Sequence, residues 1–115
     1  MGEIDRETAL SRAVLHAIEV RSKAALHNIV NQDVPGYKRY QVRFEELLRS
    51  AVATGKSPAE VEPLVERDTS GAPGSNNVSL VSEMGTLDKM HMLHEVFSRR
   101  AGAYFSTLNR AIFGR

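Results

Sequence analysis

Residues 79–113 read SLVSEMGTLDKMHMLHEVFSRRAGAYFSTLNRAIF. Leu87, Met90, His94, Phe97, Ala101, Tyr104, Leu108 and Ala111 follow one another at alternating steps of three and four, and seven of these eight are apolar. That spacing is the seam of a coiled coil. It predicts one long helix over 79–113, with Ser79 as its N-cap and Glu83 in the first turn, where the helix dipole favours an acid. Met92, Val96 and Ala103 form a partial second row. Gly102 costs about 1 kcal/mol relative to alanine inside a helix, and a close helix contact there would account for it.

A seam needs a partner, and the other end of the chain supplies one. Residues 5–33 have helical periodicity. Ser11, Leu15, Ile18, Ser22, Ala25 and Ile29 share one face, and Ala13, Ala17, Val20 and Ala24 make a second row on the other side. The charged sector of Arg12, Glu19 and Lys23 is narrow. Two apolar rows imply contacts on two sides. A two-helix hairpin covers only one face of each helix, so the leftover rows are expected to need other molecules.

Between the helices, Pro35 and Gly36 signal a turn that stops the first helix. Residues 37–44 partly alternate, as an extended segment does, and 45–53 read as a short helix. Residues 54–78 carry three of the four prolines and little periodicity, which predicts a flexible loop with at most one short strand near 61–65. The expected fold is mainly α. Long N- and C-terminal helices pair as an antiparallel coiled-coil-like hairpin, with a short helix and a flexible middle loop. The whole of 1–115 makes a single domain: helix 5–33, turn and short helix 34–53, variable linker 54–78, helix 79–113.

Composition narrows the function classes. At 115 residues, a compact chain would bury roughly 65% of its unfolded surface, a modest core. Without cysteine there is no disulfide and no thiolate metal site. The net charge of +1 argues against a dedicated nucleic-acid binder. The lack of tryptophan and the few aromatics suit neither a large ligand pocket nor a base-stacking surface. No apolar run exceeds three residues, so direct membrane insertion is not expected, and the first residues lack the apolar core of a cleavable signal peptide.

One stretch is distinctive. Residues 28–38 read NIVNQDVPGYK. This resembles the N-terminal signature of the flagellar rod, hook and hook-associated proteins, Asn-Ile-Ala-Asn, two variable residues, then Thr-Pro-Gly-Tyr. Asn28, Ile29, Asn31, Pro35, Gly36 and Tyr37 match it, while Val30 and Val34 replace the usual alanine and threonine. The segment 41–48, QVRFEELL, resembles the segment after the signature in the proximal-rod proteins of that family, and 76–84, NNVSLVSEM, resembles their entry into the C-terminal helix. The ending 108–115, LNRAIFGR, also resembles a proximal-rod member. The Ser-Arg-x-Tyr-x-x-Asn pattern of its sibling FlgC is missing from 98–104.

The resemblance implies a structural subunit of the proximal rod of the bacterial flagellar basal body, needed for flagellum assembly and motility, without catalysis or cofactor. It implies export from the cytoplasm through the flagellar type III apparatus without a cleaved signal, and a place in the periplasmic rod. The implied partners are further copies of itself, other rod proteins, the adaptor FliE and the export apparatus. The signature residues would contact neighbouring subunits. The helix seam would comprise Leu15, Ile18, Ala25 and Ile29 with Leu87, Met90, Phe97, Ala101, Tyr104 and Leu108. One apolar row of each helix would pack on its partner helix, the other on a neighbouring subunit. Before assembly the helices would be only marginally stable.

Other readings stay open beside this one. A small helical adaptor or export chaperone would share the helix pair, and another rod protein such as FlgC would share the signature. His91 and His94 are three apart and Glu95 is four after His91, but nothing else nearby is ligand-rich and His94 falls on the seam, so packed or surface histidines are expected. Lys38, Arg39, Arg43 and Arg49 lie beside aromatics without a nucleic-acid motif; solvated charge or pairing with a neighbouring subunit is expected, with acidic Glu60, Glu62, Glu66 and Asp68 as candidate partners across an interface. No catalytic or phosphate-binding motif is present.

Overall fold

The computed structural model describes residues 3–113, with the side chains of 5–100 and 110. Three helices, one 3-10 turn and two strands occur in order: α1 (Glu3–Val30), β1 (Tyr40–Arg43), α2 (Glu45–Ala53), the turn Pro58–Glu60, β2 (Leu64–Arg67) and α3 (Leu80–Phe113). The mainly helical fold expected from the periodicity is present.

α1 and α3 pack against each other, and among the described residues α3 has no comparable contact with any other element. On α1, Ser11, Ile18 and Ala25 are buried and Leu15 and Ile29 half-buried; on α3, Met90 is buried and Leu87 and Phe97 half-buried. His94 is exposed although it falls on the expected seam. Glu7, early in α1, pairs with Arg100, late in α3, at 3.2 Å. The seam positions Ala101, Tyr104 and Leu108 lie outside the described side chains. Ser79 caps α3 as expected, its Oγ accepting from the Ser82 amide at 3.3 Å.

The second row of α1 is not left for another molecule. Ala13 and Ala17 are buried in a small cluster with Phe44, Ala51 and Val61, flanked by Val14 and Leu48. The expectation that this row faces a neighbouring subunit is therefore corrected. The middle of the chain folds back and covers it, and small alanines allow that close approach. On the second row of α3, Met92 and Val96 are more than half exposed, and Ala103 lies outside the described side chains.

The stretch 54–78 is more ordered than its composition implies. Ser57 caps the Pro58–Glu60 turn by accepting from the Ala59 amide at 3.2 Å, with Pro58 at the start, where a missing N–H is harmless. β2 pairs antiparallel with β1, Tyr40 opposite Arg67 and Arg43 opposite Leu64. The strand expected near 61–65 thus sits slightly later. Lys38 Nζ gathers the loop beyond β2, donating to the carbonyl of Ala72 at 2.9 Å and to that of Ser70 at 3.3 Å. Local periodicity cannot reveal a strand whose partner is distant in sequence.

The molecule measures 60 × 31 × 13 Å. The long axis exceeds the short one more than fourfold, so the body is elongated and flat. Its radius of gyration of 17.7 Å exceeds the roughly 13 Å of a compact chain this long.

Candidate assembly surfaces and the signature turn

α1 ends where its C-terminal carbonyls gain other partners. Asn31 Nδ2 donates to the His27 carbonyl at 2.8 Å, and the Asn31 amide to the same carbonyl at 3.3 Å. The chain then turns through Pro35 and Gly36. Gly36 has φ of 75°, a left-handed conformation that glycine adopts without strain. Where the signature usually has a threonine hydroxyl, the turn here closes through backbone: Val34 N donates to Asn31 O at 3.1 Å, and Tyr37 N to Val34 O at 3.2 Å. Asn76 Nδ2 reinforces both carbonyls, at 3.0 Å to Asn31 and 2.7 Å to Val34.

Asn28 is the centre of the arrangement and is 0% exposed. Its Oδ1 accepts from the Tyr40 amide at 2.8 Å, and its Nδ2 donates to the Tyr40 carbonyl at 2.9 Å. One side-chain amide thus meets both backbone groups of a strand residue, as an adjacent strand would. Tyr37 donates its hydroxyl to the same Oδ1 at 3.0 Å. Burial raises the Tyr37 phenol above its usual value of 10.0, which keeps that proton in place. His27 Nδ1 lies within hydrogen-bond distance of the same Tyr37 oxygen, at 3.0 Å. Arg67 stacks over Tyr40, 3.7 Å from the ring centroid, and ties β2 to this cluster.

A second bond from α1 holds the far end of β1. Arg21 donates to the Val42 carbonyl at 2.9 Å and grips the Glu45 carboxylate at 2.6 and 2.9 Å. That fork pulls the Glu45 carboxyl from its usual 4.5 down to about 2. β1 is therefore no open edge: β2 pairs along one side, and α1 side chains take the other.

The basic and acidic clusters meet within the chain. Arg39 bridges Asp68 at 3.2 Å and Glu83 at 2.7 Å, and Arg43 meets Glu66 at 2.7 Å. For Arg39 with Asp68 and Arg43 with Glu66 the expected pairing across an interface is corrected, because the antiparallel strands bring these side chains together, whereas Lys38 binds loop carbonyls and Glu62 lies 3.4 Å from His16. Glu83 is 1% exposed, and its Oε2 has no hydrogen-bond partner among the described residues, so Arg39 carries its neutralisation. Asn77 completes the network: its Oδ1 accepts from the Arg39 amide at 2.7 Å and its Nδ2 donates to the Asp68 carbonyl at 2.6 Å.

Within the signature, Asn28 faces inward, Ile29, Asn31 and Tyr37 are half-buried, and Pro35 and Gly36 stand exposed at the tip of the turn. Sequence reasoning marked this turn but missed what holds it, Asn76 on the Asn31 and Val34 carbonyls and the Asn77 amide on the Tyr37 carbonyl, and missed the neighbouring Arg39–Glu83 and Arg21–Glu45 pairs. The Asn-Asn pair before α3 was a visible signal, readable only as a helix entry. Elsewhere, His91 approaches Glu95 at 3.8 Å, and no group of three or more possible metal ligands clusters among the described residues. Among the same residues no helix is long and apolar enough to cross a membrane.

The result is a pair of long helices, braced at one end by a polar knot, with the middle of the chain covering α1 and Met92 and Val96 bare on α3. The chain is similar to the flagellar basal body rod protein FlgB of Bacillus subtilis (strain 168), 27% identical over 121 aligned positions that cover 94% of this chain and 90% of that protein. No family model matches. The similarity supports the resemblance to the flagellar rod family and, within it, to FlgB.

Proposed function

We propose that this chain is a structural subunit of the proximal rod of the flagellar basal body, required for flagellum assembly and motility. The observation that carries this reading is the similarity to FlgB along nearly the full length of both chains. The structure supports it physically, since an elongated body with an uncovered apolar row on α3 gains stability by packing on neighbours. In this reading residues 1–115 act as one rod domain. α1 and α3 form an antiparallel coiled-coil-like hairpin along the Leu15, Ile18, Ala25 and Met90 seam, a pairing supported by the Glu7–Arg100 contact. The exposed tip at Pro35 and Gly36 contacts a neighbouring subunit. Partners are further copies, other rod proteins, the adaptor FliE and the type III export apparatus, which delivers the chain to the periplasmic rod without a cleaved signal.

The test is deletion of the gene with swimming scored, together with purified basal bodies probed for the protein. Lost motility and presence in basal bodies are expected. Normal swimming with the protein confined to the cytoplasm would sink the rod reading in favour of an adaptor or chaperone.

A further inference from the structure

The two-stranded sheet is closed on one edge and open on the other. In an antiparallel pair, residues whose N–H and C=O bond across the pair alternate with residues whose backbone groups point away. The Asp68 amide donates to the Arg39 carbonyl at 2.8 Å, which fixes the phase. Gln41 with Glu66 and Arg43 with Leu64 then bond across the pair, while Tyr40, Val42, Val65 and Arg67 turn their backbone groups outward. On β1 the outward groups are taken: Asn28 meets both of those on Tyr40, and Arg21 meets the Val42 carbonyl. On β2 they are not. Among the described residues no hydrogen bond reaches the outward backbone groups of Val65 or Arg67, and β2 packs on no element but β1 to a comparable extent.

The side chains along this edge are apolar and acidic. Leu64 and Val65 are each 46% exposed. Charged side chains are a usual means of keeping an edge strand from pairing with another chain. The two charges within β2 are turned to other work: Arg67 lies over the Tyr40 ring, and Glu66 is held by Arg43 at 2.7 Å. Just before the strand, Glu60 and Glu62 are exposed. Glu62 faces His16 at 3.4 Å, and neither acid meets a lysine or arginine among the described residues.

We propose that β2 docks an extended segment of a different protein, added as a third, antiparallel strand, with apolar residues opposite Val65 and Leu64 and a lysine or arginine level with Glu62. The open donors and acceptors of Val65 and Arg67 select an extended backbone, because a helix spends its own N–H and C=O groups internally. The exposed Leu64 and Val65 select apolar side chains, and the acids without a basic partner select a cation. Main-chain hydrogen bonds supply the affinity and the side chains the choice of partner. β2 has four residues and two outward-facing ones, so the contact is short and reversible. It uses neither long helix and stands apart from the rod reading.

The probe is the end-capped peptide Thr-Thr-Val-Val-Thr-Lys, whose antiparallel register sets its valines opposite Val65 and Leu64 and its lysine level with Glu62. Titrated into the isotope-labelled full-length protein, it should shift the Val65 and Arg67 amide resonances saturably. Methylating the backbone nitrogen of the first valine removes the N–H that meets the Val65 carbonyl and should weaken binding roughly tenfold. Methylating the second valine, whose N–H points away, should leave binding nearly unchanged. Val65→Pro removes the outward donor but no bond to β1, a place where edge strands tolerate proline, and should also weaken binding roughly tenfold. If that variant loses helicity by circular dichroism, Glu62→Lys replaces it: it should bind the lysine peptide about threefold more weakly and the same peptide ending in glutamate more tightly. In the free protein, the Val65 and Arg67 amides should exchange hydrogen faster than those of Glu66 and Asp68. Overturning results are no saturable shift, equal weakening by the two methylated peptides, or exchange at Val65 and Arg67 as slow as at Glu66. A Val65→Pro variant that sediments at lower mass than the unmodified protein would show a second copy covering the edge, and would overturn the proposal too.

Discussion

At Asn28 one buried amide satisfies both backbone groups of Tyr40 and receives the Tyr37 hydroxyl. Asn28→Ala would leave these groups without partners, each costing about 1–3 kcal/mol. The expected result is a loss of roughly 2–4 kcal/mol, seen as a lower midpoint in urea titration. A loss below about 0.5 kcal/mol, within the scatter of ordinary surface changes, would show that the clamp is not made in solution. Arg39 offers a test with a built-in rescue. Removing it leaves the Glu83 carboxylate buried and uncompensated. Arg39→Ala should cost about 3–5 kcal/mol, and adding Glu83→Gln should recover part of that by removing the charge. No recovery in the double variant would mean that Arg39 matters through packing alone. The importance of Asn28 and Tyr37 was legible in the sequence through the signature. Their bonding partners were not, because side-chain bonds between distant residues leave no periodic trace.

Among the elements, α2 and the 3-10 turn are held to α1 by one aromatic ring and one ion pair. Phe44 is buried among Ala13, Ala17, Ala51 and Val61. Phe44→Ala is expected to cost about 3 kcal/mol, near the low end for such truncations because the cluster is small. Amide hydrogen exchange should then quicken over α2 and β1, while α3 keeps its protection. Uniform loss of protection would show instead that the chain unfolds as one unit. The Arg21–Glu45 fork gives a pH dependence of defined sign. The Glu45 carboxyl is held near 2 against a usual 4.5, so its stabilisation is fully present above about pH 4.5 and is lost as pH falls toward 2. The side chain is 62% exposed, and solvent screening limits the effect to about 1 kcal/mol or less. Glu45→Gln should flatten the fall in melting temperature over that acid range relative to the original protein. An unchanged acid slope would place the sensitivity at other carboxylates. The short helix was readable from residues 45–53. β2 and the cover over Ala13 and Ala17 were not, since both depend on the chain returning to α1 from far along the sequence.

For the whole molecule the thin dimension governs stability. With a slab 13 Å deep, the hydrophobic interior is confined to a few side chains. The dilute monomer should melt at or below about 45 °C, the lower end for mesophilic domains, and the midpoint should rise with protein concentration if association stabilises it. A midpoint that is high and independent of concentration would show that the monomer is self-sufficient. The helical class could be read from periodicity alone, because two long helices dominate the chain. Flatness could not, because it depends on the middle segment covering α1 and leaving α3 bare.

The polar knot also sets an order of events. It joins Asn28, Arg39, Asp68, Asn77 and Glu83, which are scattered across the middle of the chain. A chain that emerges N-terminus first from the ribosome cannot close the knot until Glu83 has appeared. Until then the Asn28 clamp lacks the support of Asn77 and Arg39 lacks its buried partner. Contacts this distant in sequence form late. The fold therefore carries its own delay: Phe44, Val61 and the Arg21–Glu45 fork can meet the leading helix early, but the knot closes only as the trailing helix arrives.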